Sequence, residues 1–272
     1  MSISDADGEL LDTADFDASK PSPARIYDYL LGGSHNLAVD REVGQRAAEA
    51  MPTLSAAIWA NRAFLRRVVH HLVTELGVDQ FLDLGSGVPT VGNVHEVAQA
   101  ANPAAKVVYV DIEPVAVAQG RRLLADNDRA TVIQADLRQP DDVLGRHELT
   151  GLLDLSRPVA VLMIAVLHFL PDTDYPGDIV RTYADRVAPG SYLALSHAAD
   201  DKDLPAEQAR MIADYRQSTA VPFIHRDPEV LEEWLRGMEL VPPGIVLTNQ
   251  WHPDTEPGRI LRTFGVLARK VG

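Results

Sequence analysis

The stretch FLDLGSGVPTVG, residues 81–92, decides how the rest of the chain is read. Phe81-Leu82-Asp83-Leu84 is a short apolar run of strand type; it breaks at Gly85 and Gly87, and helix-compatible sequence follows. Strand, glycine turn and helix in that order make the ligand-binding corner of a doubly wound α/β sheet. The turn departs from the dinucleotide fingerprint, because Thr90 stands where a third glycine is required. An acid, Asp83, also stands just before the turn.

Outward from this stretch the sequence alternates between strands and helices. Strands are expected at 80–84, 106–111, 131–135, 159–164, 191–196, 243–248 and 262–268. The runs VVYV (107–110) and VAVLMIAVL (159–167) are apolar almost throughout, as strands covered on both faces are. Helices are expected between them at 94–101, 114–126, 176–187, 205–218 and 228–237. The alternation predicts a Rossmann-like α/β domain over 77–272.

Before Gly77 the pattern is helical. ARIYDYLLGG (24–33) reads as a short helix ended by Gly32-Gly33, and a second helix is expected at 40–51. A longer one at 55–76 shows Ile58, Phe64, Leu65, Val68, Leu72 and Leu76 at helical spacing. Residues 21–76 therefore read as an N-terminal helical cap. Residues 1–20 carry Asp5, Asp7, Glu9, Asp12, Asp15 and Asp17 against Lys20 alone, the composition of a disordered acidic tail.

The bulk numbers exclude several classes. A net charge of −14 disfavours binding bare nucleic acid by phosphate neutralisation, and suits cationic or small-molecule partners. The chain has no cysteine, so thiolate metal sites and cysteine nucleophiles are excluded together. The longest apolar run, 159–167, is too short to span a membrane, and the N-terminus has no secretory pattern, so a cytoplasmic protein is expected.

Acids recur at the ends of three successive strands: Asp83, Asp111 and Asp136. In an open parallel sheet the ligand lies beyond those ends. Asp111 can accept from both ribose hydroxyls and Asp136 from an adenine amino group; alternatively, Asp111 only caps the next helix and Asp136 only holds a turn. Together with the glycines they favour a nucleoside ligand. Asp83 then discriminates: beside a pyrophosphate it meets like charge, whereas a sulfonium and an ammonium attract it. S-adenosylmethionine carries both cations, and its carboxylate suits backbone amides at a helix start.

Residues 81–92, VVYVDIEPVAVAQGRRLL (107–124) and VIQADLR (132–138) resemble the first three motifs of class I methyltransferases. More narrowly, the chain from Pro21 onward resembles the S-adenosyl methyltransferase family, long catalogued as a domain of unknown function. PSPARIYDYLLGGSHN, NRAFLRRVV, GNVHEVAQ, SRPVAVLMIAVLHFLPD and APGSYLALSHA carry this likeness. The resemblance implies a seven-stranded, mostly parallel sheet whose last strand is antiparallel, with the helical cap over the cofactor. It implies that Asp83, Gly85, Ser86 and Gly87 hold the methionine end, Asp111 the ribose, and Asp136 with Leu137 the adenine edge. Ile112 is counted with them; it and Val91 replace polar residues common in relatives. After the two glycines of the cap the family usually shows Lys-Asp-Asn-Phe, whereas this chain has Ser34-His35-Asn36-Leu37, so a cap cation is missing.

Arg25, Tyr27, Asp28 and Asn36 of the cap are either the solvated face of an amphipathic helix or part of a lid that excludes water. Methyl transfer from a sulfonium is an in-line displacement; it needs alignment and dryness, and a base only if the acceptor must lose a proton. The candidates for such a catalytic group are His168 after the fourth strand, His197 at the end of the fifth, and Tyr27. His70 and His71 are adjacent on a helix and make a poor metal pair, His95 caps or packs, and HAADDKD (197–203) reads as a solvated loop, so no metal is expected. Trp251, beside His252, lines the acceptor pocket or covers the sheet.

The leading expectation is an S-adenosylmethionine-dependent methyltransferase acting on a small-molecule acceptor by O- or N-methylation. The alternatives are a non-catalytic sensor of the same cofactor, and a nicotinamide oxidoreductase, which Thr90 and Asp83 disfavour.

Overall fold

β3 (Gln80–Leu84) lies near the middle of an eight-stranded sheet, with β4 (Lys106–Asp111) and β5 (Ala130–Gln134) on one side. On its other side follow β6 (Ala160–Ile164) and β7 (Tyr192–Ala198), then β10 (Thr263–Lys270) and β8 (Met238–Leu240); β9 (Val246–Leu247) also pairs with β10. The five strands from β5 to β7 are parallel, and β10 runs antiparallel to β7, β8 and β9. In the computed structural model the described residues are 3–4, 10–11, 17–90, 92–200, 206, 209–210, 213, 223–254, 256–258 and 262–272. Within the acidic segment, β1 (Ile3–Ser4) and β2 (Leu10–Leu11) pair antiparallel; most of 1–16, Val91 and most of the helix expected at 205–218 lie outside the described residues.

The strand order turns outward from β3 in both directions, and this creates a crevice at the carboxyl ends of β3 and β6. Helices cover both faces: α3 (Leu54–Thr74), α4 (Val94–Ala101) and α5 (Pro114–Leu123) on one. On the other lie α6 (Pro140–Gly145), α7 (His147–Leu152), α8 (Pro176–Arg186) and α9 (Pro228–Trp234). Side chains alternate accordingly along β3. Leu82 and Leu84 join the α6–α9 core, and Phe81 joins Phe64, Leu65, Val68 and Leu72 of α3. Asp83, two residues after Phe81, therefore shares the α3 side of the sheet.

α3 follows from its sequence. Its apolar residues recur at three- and four-residue spacing, and Phe64, Val68, Val69 and Leu72 are fully buried against the sheet. Its second half thus packs in the layer that covers β3, while its first half carries α1 (Pro23–Leu30) and α2 (Ala38–Ala50).

The sixth strand differs from expectation. The chain pairs at Met238–Leu240, and only Val246–Leu247 of the expected 243–248 joins the sheet. Pro242 and Pro243 explain the gap: neither has an N–H to donate to a ladder. α6 and α7, short and mixed in polarity, were not expected at all.

Candidate functional site

The glycine turn is built by close approach and backbone conformation. Gly85 adopts φ 71°, and a Cβ there would fall 2.3 Å from Val166 beyond β6, so only glycine fits. The Gly85 and Ser86 amides both donate to the Val110 carbonyl at 2.8 and 3.2 Å, which fastens the turn to β4. Gly87 has φ 67°, a conformation that favours glycine, and no protein atom crowds it. Thr90, at the vacant third-glycine position, has its own task. Its hydroxyl accepts from Arg62 of α3 at 3.1 Å, and the same nitrogen reaches the Asn93 side chain that caps α4.

The acids at the strand ends differ in their electrostatics. Asp111 is buried; its Oδ2 accepts from the Gly87 amide at 2.6 Å and its Oδ1 from the Glu113 amide at 2.8 Å. Burial raises its pKa to about 6, with those amides pulling the other way. Asp83 is pushed further, to about 7, by burial; Arg62 opposes the shift and Asp111 adds to it. At Asp136, partial burial acts upward, but the Arg138 hydrogen bonds hold the carboxyl below its ordinary range. Both Asp136 oxygens accept from Arg138, whose Nη1 also pairs with Asp174 at 3.0 Å. An adenine amino group at Asp136 would have to compete with that arginine.

One cavity of about 610 Å3 collects these groups. Asp83, Gly85, Ser86, Gly87, Asp111, Ile112, Asp136 and Leu137 all line it, although they come from three strand ends. Pro21 to Ala24 and Tyr27 of the cap close its far wall, with Asn61, Arg62 and Leu65 of α3. A chain of hydrogen bonds stands behind that wall. Ala165, held at φ 55°, donates its amide to Ser196 Oγ at 2.9 Å, and Ser196 donates to Asn61 Oδ1 at 2.6 Å. Asn61 Nδ2 donates to the Tyr27 hydroxyl at 3.1 Å, which donates to the Ile58 carbonyl at 3.3 Å. Burial raises the Tyr27 pKa, so this hydroxyl keeps its proton at neutral pH.

The two histidine candidates fall elsewhere. His168 and His197 do not line the cavity. The 3-10 turn at 167–169 directs His168 into a buried cluster with Phe169, Phe223 and His197, where burial depresses its pKa well below the ordinary value. His197 donates from Nδ1 to the Ala198 carbonyl at 2.8 Å and accepts at Nε2 from Arg226 at 3.1 Å; burial lowers its pKa to about 4. Both rings are neutral at physiological pH. Trp251 resolves toward the core, fully buried against Phe64 and His71. His95 packs, its ring and amide both bonded to the Tyr109 hydroxyl at 2.8 Å. Ser34 and His35, the departure in the cap, lie off the cavity, and Asp201 to Asp203 of the acidic loop lie outside the described residues. Among the described residues no group of three His, Asp or Glu side chains could hold a metal, and no helix is long and apolar enough to cross a membrane.

Sequence reasoning passed over Arg62, Glu113 and the burial of Arg25. Arg62 supplies a cation at the cavity that Ser34-His35 does not. Its signal was the pair Asn61-Arg62 beside the apolar stripe of α3.

A family model described as S-adenosyl methyltransferase matches residues 11–270. Among solved structures, a protein of Thermobifida fusca YX described as a candidate methyltransferase is 39% identical, over 95% of this chain and 97% of its own, with a TM-score of 0.86. A DUF574 family protein of Streptomyces avermitilis MA-4680 is 37% identical, over 93% and 99%, with a TM-score of 0.87. The fold extends to a Burkholderia thailandensis 1,6-didemethyltoxoflavin-N1-methyltransferase, solved with 1,6-didemethyltoxoflavin and S-adenosylhomocysteine. That protein is 18% identical over 79% of this chain and 81% of its own, at a TM-score of 0.50. No curated protein matches the chain.

Proposed function

The chain belongs to the S-adenosyl methyltransferase family, and from that premise we propose that its 610 Å3 cavity takes the cofactor together with a small-molecule acceptor, for O- or N-methylation. The protein is an S-adenosylmethionine-dependent methyltransferase. The observation that carries the site reading is that all the residues expected at the cofactor line one cavity of a size usual for small ligands, about 300–1,000 Å3.

The residues present fit the cofactor. Asp83 is a buried carboxyl lining the cavity, and burial holds back its charge although Arg62 returns part of it; an ammonium or sulfonium beside it adds a further cation. Arg62, from the cap side, suits the methionine carboxylate. Asp111, fixed by two backbone amides, keeps acceptor capacity toward ribose hydroxyls, and Ile112 and Leu137 offer apolar faces to the adenine. When bound, S-adenosylmethionine brings a methyl group already activated by its sulfonium.

The chain's part in the transfer is alignment and exclusion of water. Tyr27 and Asn61, locked to each other and to Ser196, hold the acceptor wall rigid, and Leu65, Val166 and Phe169 keep it apolar. The net charge of −14 favours a small acceptor over nucleic acid.

Parallel calorimetric titrations with S-adenosylmethionine, S-adenosylhomocysteine and NAD test this reading. The two sulfur ligands should bind and NAD should not. Asp111→Ala should weaken the sulfur ligands by about 2–4 kcal/mol through lost charge-assisted hydrogen bonds. A folded Asp111→Ala protein with wild-type affinity would remove Asp111 from the site.

A further inference from the structure

We infer that Arg25 is a positioning residue for the cofactor, acting from the cap through Glu113 on Asp111; the inference rests on the reading of Asp111 as the ribose acid. Arg25 is 2% exposed, and its guanidinium fastens three separate segments. Nε donates to Asp40 Oδ2 at 2.7 Å, Nη1 to Glu113 Oε1 at 2.8 Å, and Nη2 to the Lys20 carbonyl at 2.7 Å. Asp40 in turn accepts from the Ser22 amide at 3.0 Å and the Leu37 amide at 2.8 Å, which ties the starts of α1 and α2 to the same hub. A lysine has one nitrogen and cannot span these partners; the fork geometry demands arginine.

Two features carry this hub beyond structural support. Glu113 and the clamped segment Pro21 to Ala24 both line the cavity. The Glu113 amide also donates to the Asp111 carboxylate, at 2.8 Å. A shift of the cap therefore moves Glu113, and a shift of Glu113 re-aims Asp111. Glu113 is itself mostly buried, its side chain 14% exposed, so loss of the guanidinium leaves a desolvated charge beside that loop.

The test is calorimetric titration of S-adenosylhomocysteine into Glu113→Gln, Arg25→Lys and Asp111→Asn, singly and in pairs. Glu113→Gln and Arg25→Lys should each weaken binding roughly tenfold, with no further loss when combined, because they break one linkage. In the Asp111→Asn background neither should matter. Wild-type affinity in both single variants, or full additivity with Asp111→Asn, overturns the inference. Wild-type affinity of Asp111→Asn itself instead overturns the ribose assignment beneath it. Should Arg25→Lys fail to fold, Glu113→Gln carries the test, since it leaves the Arg25–Asp40 pair intact.

Discussion

A carboxyl group whose ordinary pKa is 3.8 is held near 7 at Asp83, because burial strips its hydration and Arg62 returns only part of the loss. A raised acid pKa means that folding disfavours the charge. The cost is absent below about pH 4, grows as pH rises, and is complete above pH 7. Asp83→Asn should therefore stabilise the ligand-free protein at pH 8, by about 4 kcal/mol, and leave it nearly unchanged at pH 4. Thermal melts at the two pH values check this; equal shifts at both would mean that the charge is not what burial penalises. The same residue sets a pH window for the ligand: S-adenosylmethionine affinity should be level above pH 7 and fall below it, as Asp83 takes up a proton. At this scale the sequence was highly legible. Glycines and acids at strand ends are dictated by backbone geometry, which a local stretch displays. Arg62 was not legible, because its role depends on α3 crossing the carboxyl end of β3, a tertiary fact.

Among elements, α3 holds cap and sheet together. Phe64 is fully buried, its ring edge-on to Trp251 at 5.6 Å and close enough to Gly265 that a Cβ there would meet it at 2.7 Å. Phe64→Ala should cost about 3–5 kcal/mol, read by urea denaturation, because the ring is enclosed between the sheet and Trp251 and its loss leaves a cavity. A loss under 1 kcal/mol would show that the layer collapses to fill the space. The strongly periodic elements, α3 and the parallel strands β3 to β7, were read from sequence within a few residues. β8 and β9 were not, since β8 is three residues long and the Pro242-Pro243 pair beside it reads as a boundary with no indication of which side pairs. The place of His168 was not legible for a related reason: the 3-10 turn at 167–169 carries it into the cluster with Phe169, Phe223 and His197, off the cavity, and a sequence does not display that turn.

For the whole molecule, α3 packs on the sheet and also contacts α1 and α2, so the residues from α1 onward are expected to unfold as one cooperative body. Calorimetry of the ligand-free protein should show a single unfolding transition, and S-adenosylhomocysteine at a hundred times its Kd should move all of it by about 2.7 kcal/mol of added stability. Two resolved transitions, only one of them ligand-sensitive, would separate the cap as an independent unit.

The placement of β10 bears on how this protein is born. Among the described residues β7, which ends at Ala198, pairs on its outer side with β10 alone, a strand made well after it, and β8 reaches the sheet through β10. During synthesis the hydrogen-bonding edge of β7 thus stays open until residues 263–270 have left the ribosome, and β8 waits without a neighbour. An open edge on a finished parallel half-sheet is a template for pairing with other chains, so the nascent protein is open to such pairing in the interval between the emergence of β7 and that of β10.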